Sequence, residues 1–176
     1  MFNNQSFTEE VKSKSGQPID LCFQCQKCAS GCSMVRYTDF APNQILRLVQ
    51  MGMEDNVLNS SMIWLCSSCE ICGARCPNGI KMSEVMDTLK QIAIGKNVIK
   101  VKRVKLFHEV FLGTVKSNGR IHEATMMARY KLKSGDLFSD IDLGLKLFLR
   151  RKLPLLGHKI KNKERLKRIF ERSVHK

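Results

Sequence analysis

Apolar positions in this chain recur at intervals of three and four, with no sustained alternation, so the pattern predicts helices and no sheet. Pro42 suits a first helical turn, where a missing N–H costs little. Ile45, Leu46, Leu48 and Val49 follow at helical spacing, and Gly52 is placed to stop the run. A second helix is expected from Ser60–Ser61 through Ile63, Trp64 and Leu65. A third follows Ser83, a capping-type residue, with Val85, Met86, Leu89, Ile92 and Ala93 on one face. Further on, residues 98–115 set Val101, Val104, Phe107, Val110, Phe111 and Leu112 along a stripe. Residues 121–132 predict a shorter helix closed by Gly135, and residues 137–150 another, interrupted after Leu153 by Pro154 and Gly157. The run KIKNKERLKRIFERS is amphipathic through Ile160, Leu166, Ile169 and Phe170. The expected class is all-α.

Charge divides what periodicity leaves uniform. Residues 1–90 carry eight Lys/Arg against nine Asp/Glu, and residues 91–176 carry twenty-two against seven. All eight cysteines lie in the first, near-neutral part. The expected organisation is a metal-binding domain over residues 1–95 and a basic helical extension over 96–176, with the seam near Gly95 to Asn97. No stretch reaches the eighteen apolar residues of a membrane span. The segment MFNNQSFTEEVKSK lacks the apolar core and small-residue cleavage site of a secretory signal. The expectation is a cytoplasmic protein, and in a reducing compartment cysteines bind metal far more often than they form disulfides.

The cysteines are themselves a repeat. Cys22, Cys25, Cys28 and Cys32 recur as Cys66, Cys69, Cys72 and Cys76, each displaced by 44 residues, so C-x2-C-x2-C-x3-C occurs twice. Three thiolates spaced two apart can wrap one corner of a metal cube, and a fourth must come from elsewhere. In two-cluster ferredoxins the fourth cysteine of this motif serves the other cluster. The pattern therefore predicts two 4Fe-4S clusters. One would lie on Cys22, Cys25, Cys28 and Cys76, the other on Cys66, Cys69, Cys72 and Cys32. Pro77 follows the second quartet and turns the chain away; Ser33 stands at the matching place in the first. Small or polar residues at 29–31, 67, 68 and 73 leave room for backbone N–H groups to reach cluster sulfurs, one lever on reduction potential. Structural zinc is the competing reading, but zinc sites use two separated C-x2-C pairs rather than three cysteines in seven residues.

Other candidates carry less. His108, His122, His158 and His175 show no ligand spacing with one another and read as surface or core residues. Met126, Met127 and the other methionines read as packing. Trp64, two residues before Cys66, suits either a cluster shield or ordinary core. No nucleotide loop or Ser/His/Asp arrangement is present, so no catalytic residue is expected.

The runs LCFQCQKCASGC and WLCSSCEICGARCP, with the basic KLPLLGHKIK near the end, resemble the C subunit of heterodisulfide reductase and its bacterial relatives over roughly residues 15–175. The cysteine pattern alone is shared with iron–sulfur subunits of succinate and glycerol-3-phosphate dehydrogenases; CFQC and Trp64 narrow it. The resemblance implies a helical ferredoxin-like domain whose eight cysteines ligate clusters. It also implies an electron-transfer subunit, itself non-catalytic, between a flavin- and iron–sulfur-bearing A subunit and a B subunit with CCG motifs and the disulfide-reducing site. This sequence holds no CCG. In methanogens the substrate of such complexes is the heterodisulfide of coenzymes M and B.

The basic extension admits three uses. Docking on an acidic partner is the first. Peripheral contact with anionic lipid over residues 137–170, as in a membrane-associated relay of a quinone-linked oxidoreductase, is the second. A nucleic-acid-binding iron–sulfur or zinc module is the third, and is not expected, because no aromatic-interleaved basic patch or nucleic-acid motif occurs.

Overall fold

We describe the chain from a computed structural model, which covers residues 5–136, 139, 146, 149–150 and 163–173. Every regular element among these residues is helical. The chain divides into two compact units, Met1–Val101 and Lys102–Lys176.

In the first unit, α1 (Gln5–Ser15) ends at Gly16, whose φ of +62° lets its N–H return to Lys12 O at 2.9 Å. A single 3-10 turn (Ile19–Leu21) leads into the first cysteine loop, which contains the one-turn α2 (Lys27–Ser30). After another 3-10 turn (Val35–Tyr37), α3 (Pro42–Gln50) begins with Pro42, and the Gln44 Oε1 accepts the Ala41 N–H at 2.7 Å. It stops at Gly52, φ +66°, with Met53 N–H bonded to Leu48 O at 2.9 Å. The short α4 (Glu54–Leu58) precedes α5 (Ser61–Leu65), capped by Ser60 Oγ, which accepts the Met62 N–H at 3.0 Å. The second cysteine loop contains α6 (Ile71–Ala74) and opens into α7 (Met82–Gly95).

The long α7 organises the core. Met82, Val85, Met86, Leu89, Ile92 and Ala93 are all buried, an i, i+3, i+4 stripe. Phe7 and Val11 of α1, Ile45, Leu46 and Val49 of α3, and Met62, Ile63 and Trp64 of α5 complete the same cluster. Thr8 Oγ1 donates to Val49 O at 2.7 Å, pinning α1 to α3. Asn97, φ +57°, ends α7 in a Schellman turn with Val98 N–H on Ala93 O at 2.8 Å. Ser83 does not cap α7 as expected. The helix already starts at Met82, and the Ser83 hydroxyl instead donates to Glu70 Oε1.

In the second unit, α8 (Lys102–Asn118) packs with α9 (Glu123–Ser134), and α10 (Lys163–Ser173) packs on α8. Among the described residues its buried set is small: Val110, Thr114, His122 and Met126. Phe107 makes edge-on contact with Tyr130 at 6.0 Å between ring centres, while Leu112 stays about half exposed (51%). His122 is an N-cap, its Nδ1 accepting the Thr125 N–H at 3.3 Å. Gly135, φ +73°, closes α9. The helix expected over 137–150 and the lipid-contact segment of 137–170 fall largely outside the described residues. No described helix is long and apolar enough to cross a membrane.

Candidate metal centre

The 44-residue repeat in sequence is also a repeat in backbone. Each quartet starts where a helical turn ends: Cys22 follows the Ile19–Leu21 turn and Cys66 follows α5, both extended at φ −72° and −61°. The next two cysteines are brought round by paired left-handed residues. Gln24 (φ +61°) and Gln26 (+64°) in the first loop match Ser68 (+50°) and Glu70 (+62°) in the second. One-turn helices α2 and α6 follow, and Cys32 and Cys76 each donate their N–H to the residue three back, Ala29 and Gly73, at 3.1 Å. A left-handed residue other than glycine costs about 1–2 kcal/mol. Four of the five such residues among those described lie between cysteines. Such strain persists only where the surrounding structure holds it, and here it is concentrated in the two cysteine loops.

Two cavities result, and each takes three sulfurs from one loop and one from the other. The first, about 420 Å3 and open to solvent, is lined by Cys66, Cys69 and Cys72 together with Cys32. The second, about 320 Å3, is lined by Cys22, Cys25 and Cys28 together with Cys76. Met82, only 2% exposed, belongs to the wall of both. All eight cysteines are free thiols, and Cys25 and Cys69, at the middle of each loop, are exposed.

The donor set and its spread fit a polynuclear centre. A zinc ion needs four ligands converging on one point at about 2.3 Å from sulfur. The eight thiols here are instead divided between two cavities, three from one loop and one from the other in each. Burial pushes the Cys72 thiol up to about 11, against a nearby Gly73 N–H that favours the thiolate. Cys28 and Cys66 are raised for the same first reason, opposed by the N–H groups of Ala29 and Ser68. These amides are the backbone donors expected from the small residues, aimed at sulfurs that would be thiolates when bound to iron.

Several surrounding side chains hold the loops. Gln24 Nε2 donates to Cys22 Sγ at 3.3 Å and to Asn43 O at 3.0 Å, while Asn43 Nδ2 returns a bond to Gln24 Oε1 at 3.0 Å. Gln50 Nε2 donates to Ile19 O at 2.9 Å and Cys22 O at 3.2 Å, fixing the entry to the first loop. Asp39 performs the matching service for the second. Its carboxylate accepts from Ser60 Oγ at 2.6 Å, the Ser61 N–H at 2.9 Å and Lys100 Nζ at 2.9 Å. Burial opposes its ionisation, but these donors outweigh burial and hold the carboxyl well below the usual carboxylate range. The Arg75 guanidinium lies over Gly31, where a Cβ would stand 2.8 Å from its Nη1, so the end of a flexible side chain covers the first loop there. Trp64 is buried at the end of α5, two residues before Cys66, and its indole N–H has no partner among the described residues.

Sequence reasoning named all eight cysteines that rim the two cavities, but not Gln24, Asn43, Gln50 or Asp39. The Gln between Cys22 and Cys25 was the one local signal; its partner Asn43 is nineteen positions on.

Comparison with known proteins finds sequence relatives of this chain. Residues 21–81 match the 4Fe-4S dicluster domain family. The chain is 31% identical over 83 residues to the C subunit of the H2:CoB-CoM heterodisulfide, ferredoxin reductase of Methanothermobacter thermautotrophicus, covering 47% of this chain and 45% of that protein. It is 40% identical over 78 residues to a second iron-sulfur C-type subunit, that of the CoB–CoM heterodisulfide reductase of Methanocaldococcus jannaschii, covering 44% and 41%. Against the C subunit of the ferredoxin:CoB-CoM heterodisulfide reductase of Methanosarcina acetivorans, identity is 32% over 102 residues, 58% of this chain and 40% of that protein. The matches thus span less than half the length of these curated relatives.

Proposed function

On the premise that this chain is like the C subunit of heterodisulfide reductase and carries a 4Fe-4S dicluster domain, we propose that it relays single electrons inside a larger oxidoreductase complex. In this reading it holds two 4Fe-4S clusters, one on Cys22, Cys25, Cys28 and Cys76 and the other on Cys66, Cys69, Cys72 and Cys32. The observation that carries the reading is the exchange of the fourth cysteine between the two cavities. Such an exchange brings two one-electron centres close enough for stepwise passage, with Met82 between them.

Iron–sulfur clusters supply one-electron chemistry, and the protein's part is to place and tune them. Eight thiolates fix the irons. The Ala29, Ser68 and Gly73 amides stabilise charge on sulfur, and the apolar wall from Leu46, Met62, Ile80 and Met86 limits water. No residue of this chain is assigned a catalytic role. The partners proposed are a flavin- and iron–sulfur-bearing A-type subunit and a CCG-containing B-type subunit. Docking falls to the basic residues beyond Lys96, which attract acidic surfaces over a Debye length of about 8 Å at physiological salt.

The test is iron and acid-labile sulfide content after anaerobic purification, with EPR of the dithionite-reduced protein. About eight of each per chain, with two interacting reduced centres, is the expected result. Two zinc ions without sulfide would overturn the reading. Co-purification with a flavoprotein and a CCG protein tests the partners separately.

A further inference from the structure

The two cysteine loops match in backbone and differ in charge. At the left-handed position between the second and third cysteines, the first loop has Gln26 and the second has Glu70, with φ of +64° and +62°. Glu70 lines the cavity of Cys66, Cys69, Cys72 and Cys32. Its carboxylate is held there: Oε1 accepts from the Ser83 hydroxyl, and Oε2 lies 3.1 Å from where a Cβ on Gly73 would stand. The other cavity, with Cys22, Cys25, Cys28 and Cys76, has no Asp, Glu, Lys or Arg in its lining among the described residues. Beside it, the Gln24 amide donates to Cys22 Sγ at 3.3 Å. Its repeat mate, Ser68, offers no long side-chain amide.

Resting on the two-cluster reading above, we infer that the two centres are held at different reduction potentials. Glu70 lowers the one beside Cys66, Cys69, Cys72 and Cys32. Gln24 raises the one beside Cys22, Cys25, Cys28 and Cys76. The physical reason is charge. Each reduction adds one electron and no bond, so a nearby carboxylate opposes it, and a hydrogen bond to a thiolate sulfur favours it. Other charges do not reverse the order. Lys90 Nζ reaches Cys66 O at 3.5 Å but also pairs with Asp87 Oδ1 at 3.1 Å, so a carboxylate on the same helix opposes its field. Lys81, beside the same loop, pairs with Glu84 at 3.2 Å. Arg75 precedes Cys76 and lies over Gly31, which precedes Cys32, so it acts on both centres. The downhill sense for one electron then runs from the Cys66 loop to the Cys22 loop.

An EPR-monitored redox titration of the loaded full-length protein tests this. Glu70→Gln keeps the shape and the Ser83 bond while removing the charge. Glu70 is exposed, so the field is partly screened. The expected result is a rise of the lower midpoint by about three- to tenfold in the reduction equilibrium, where tenfold is about 59 mV for one electron. The upper midpoint stays in place. Gln26→Glu, at an exposed position of the other loop, is expected to lower the upper midpoint instead. An upper midpoint that rises in E70Q, or two unmoved midpoints, overturns the inference. If E70Q does not retain eight irons, Q26E decides alone: a lowered upper midpoint supports the inference and an unmoved one overturns it. Absence of sulfide from the wild type would instead sink the cluster reading itself, so the two failures are told apart.

Discussion

Asp39 is the residue whose removal tests how the second loop is held. It sits on the segment after Cys32 and binds the start of α5, which Cys66 follows, and these two cysteines share a cavity. Asp39→Ala removes the acceptor for the Ser61 N–H, which is worth about 1 kcal/mol for an N-terminal cap. It also strands the hydroxyl hydrogen of Ser60, a fully buried side chain (0% exposed), at a cost of about 1–3 kcal/mol. The Lys100 contact adds little, since that ammonium is about half exposed (49%) and such pairs contribute at most about 1 kcal/mol. The expected loss is about 2–4 kcal/mol for D39A. For D39N, which keeps one acceptor oxygen and loses the charge, about 1 kcal/mol is expected.

The assay follows loss of the visible cluster absorbance on heating the loaded protein under anaerobic conditions. At about 4–8 °C per kcal/mol for a unit of this size, D39A should lose its colour at least 8 °C below the wild type. D39N should fall between the two, and Lys100→Met should sit near the wild type. The pH dependence has a fixed sign. The folded carboxyl titrates below its unfolded value of about 3.9, so its stabilisation is complete above that pH and drains away as pH falls. The difference between wild type and D39N should therefore shrink on acidification. A D39A protein as stable as the wild type would refute the reasoning, as would a Lys100→Met loss equal to that of D39A.

Met82 walls both cavities, so Met82→Ala should cost about 2–4 kcal/mol and lower the iron content, while Met82→Leu should cost under about 1.5 kcal/mol and retain it; metal analysis and thermal midpoints check both. Asn97→Gly relieves a left-handed residue at the end of α7 and should leave the thermal midpoint unchanged or slightly higher, whereas Asn97→Ala should lower stability by about 1 kcal/mol. His122→Ala should destabilise α9 by about 0.5–1 kcal/mol, read as lost helicity by circular dichroism on heating, without changing the iron content.

Much of this architecture was legible in the sequence where local rules act alone. Pro42 and Gly52 bracket α3, Ser60 caps α5, and the stripe from Val85 to Ala93 is the buried face of α7. The helix α1 was not legible, because only Phe7 and Val11 mark its buried side among polar residues, and their burial depends on α3 and α7. The five-residue α4 is too short to carry a period. Ser83 looked like a cap because a hydroxyl beside an apolar run usually is one; here Glu70, thirteen positions earlier, takes its hydrogen. The eight cysteines were plain as candidates, since the repeated spacing suggests three near neighbours and one remote partner for each centre. The supporting shell was not. Gln24 with Asn43, and Asp39 with Ser60 and Lys100, are brought together by the fold across 19, 21 and 61 positions.

The crossed assignment of cysteines is the central claim, and one comparison tests it most directly. A variant with Cys22, Cys25 and Cys28 replaced by serine should retain about four irons and one EPR signal from the remaining loop. Adding Cys32→Ser to that background should shift or abolish the signal, and adding Cys76→Ser should leave it unchanged. A signal that survives loss of Cys32 but is altered by loss of Cys76 would contradict the account.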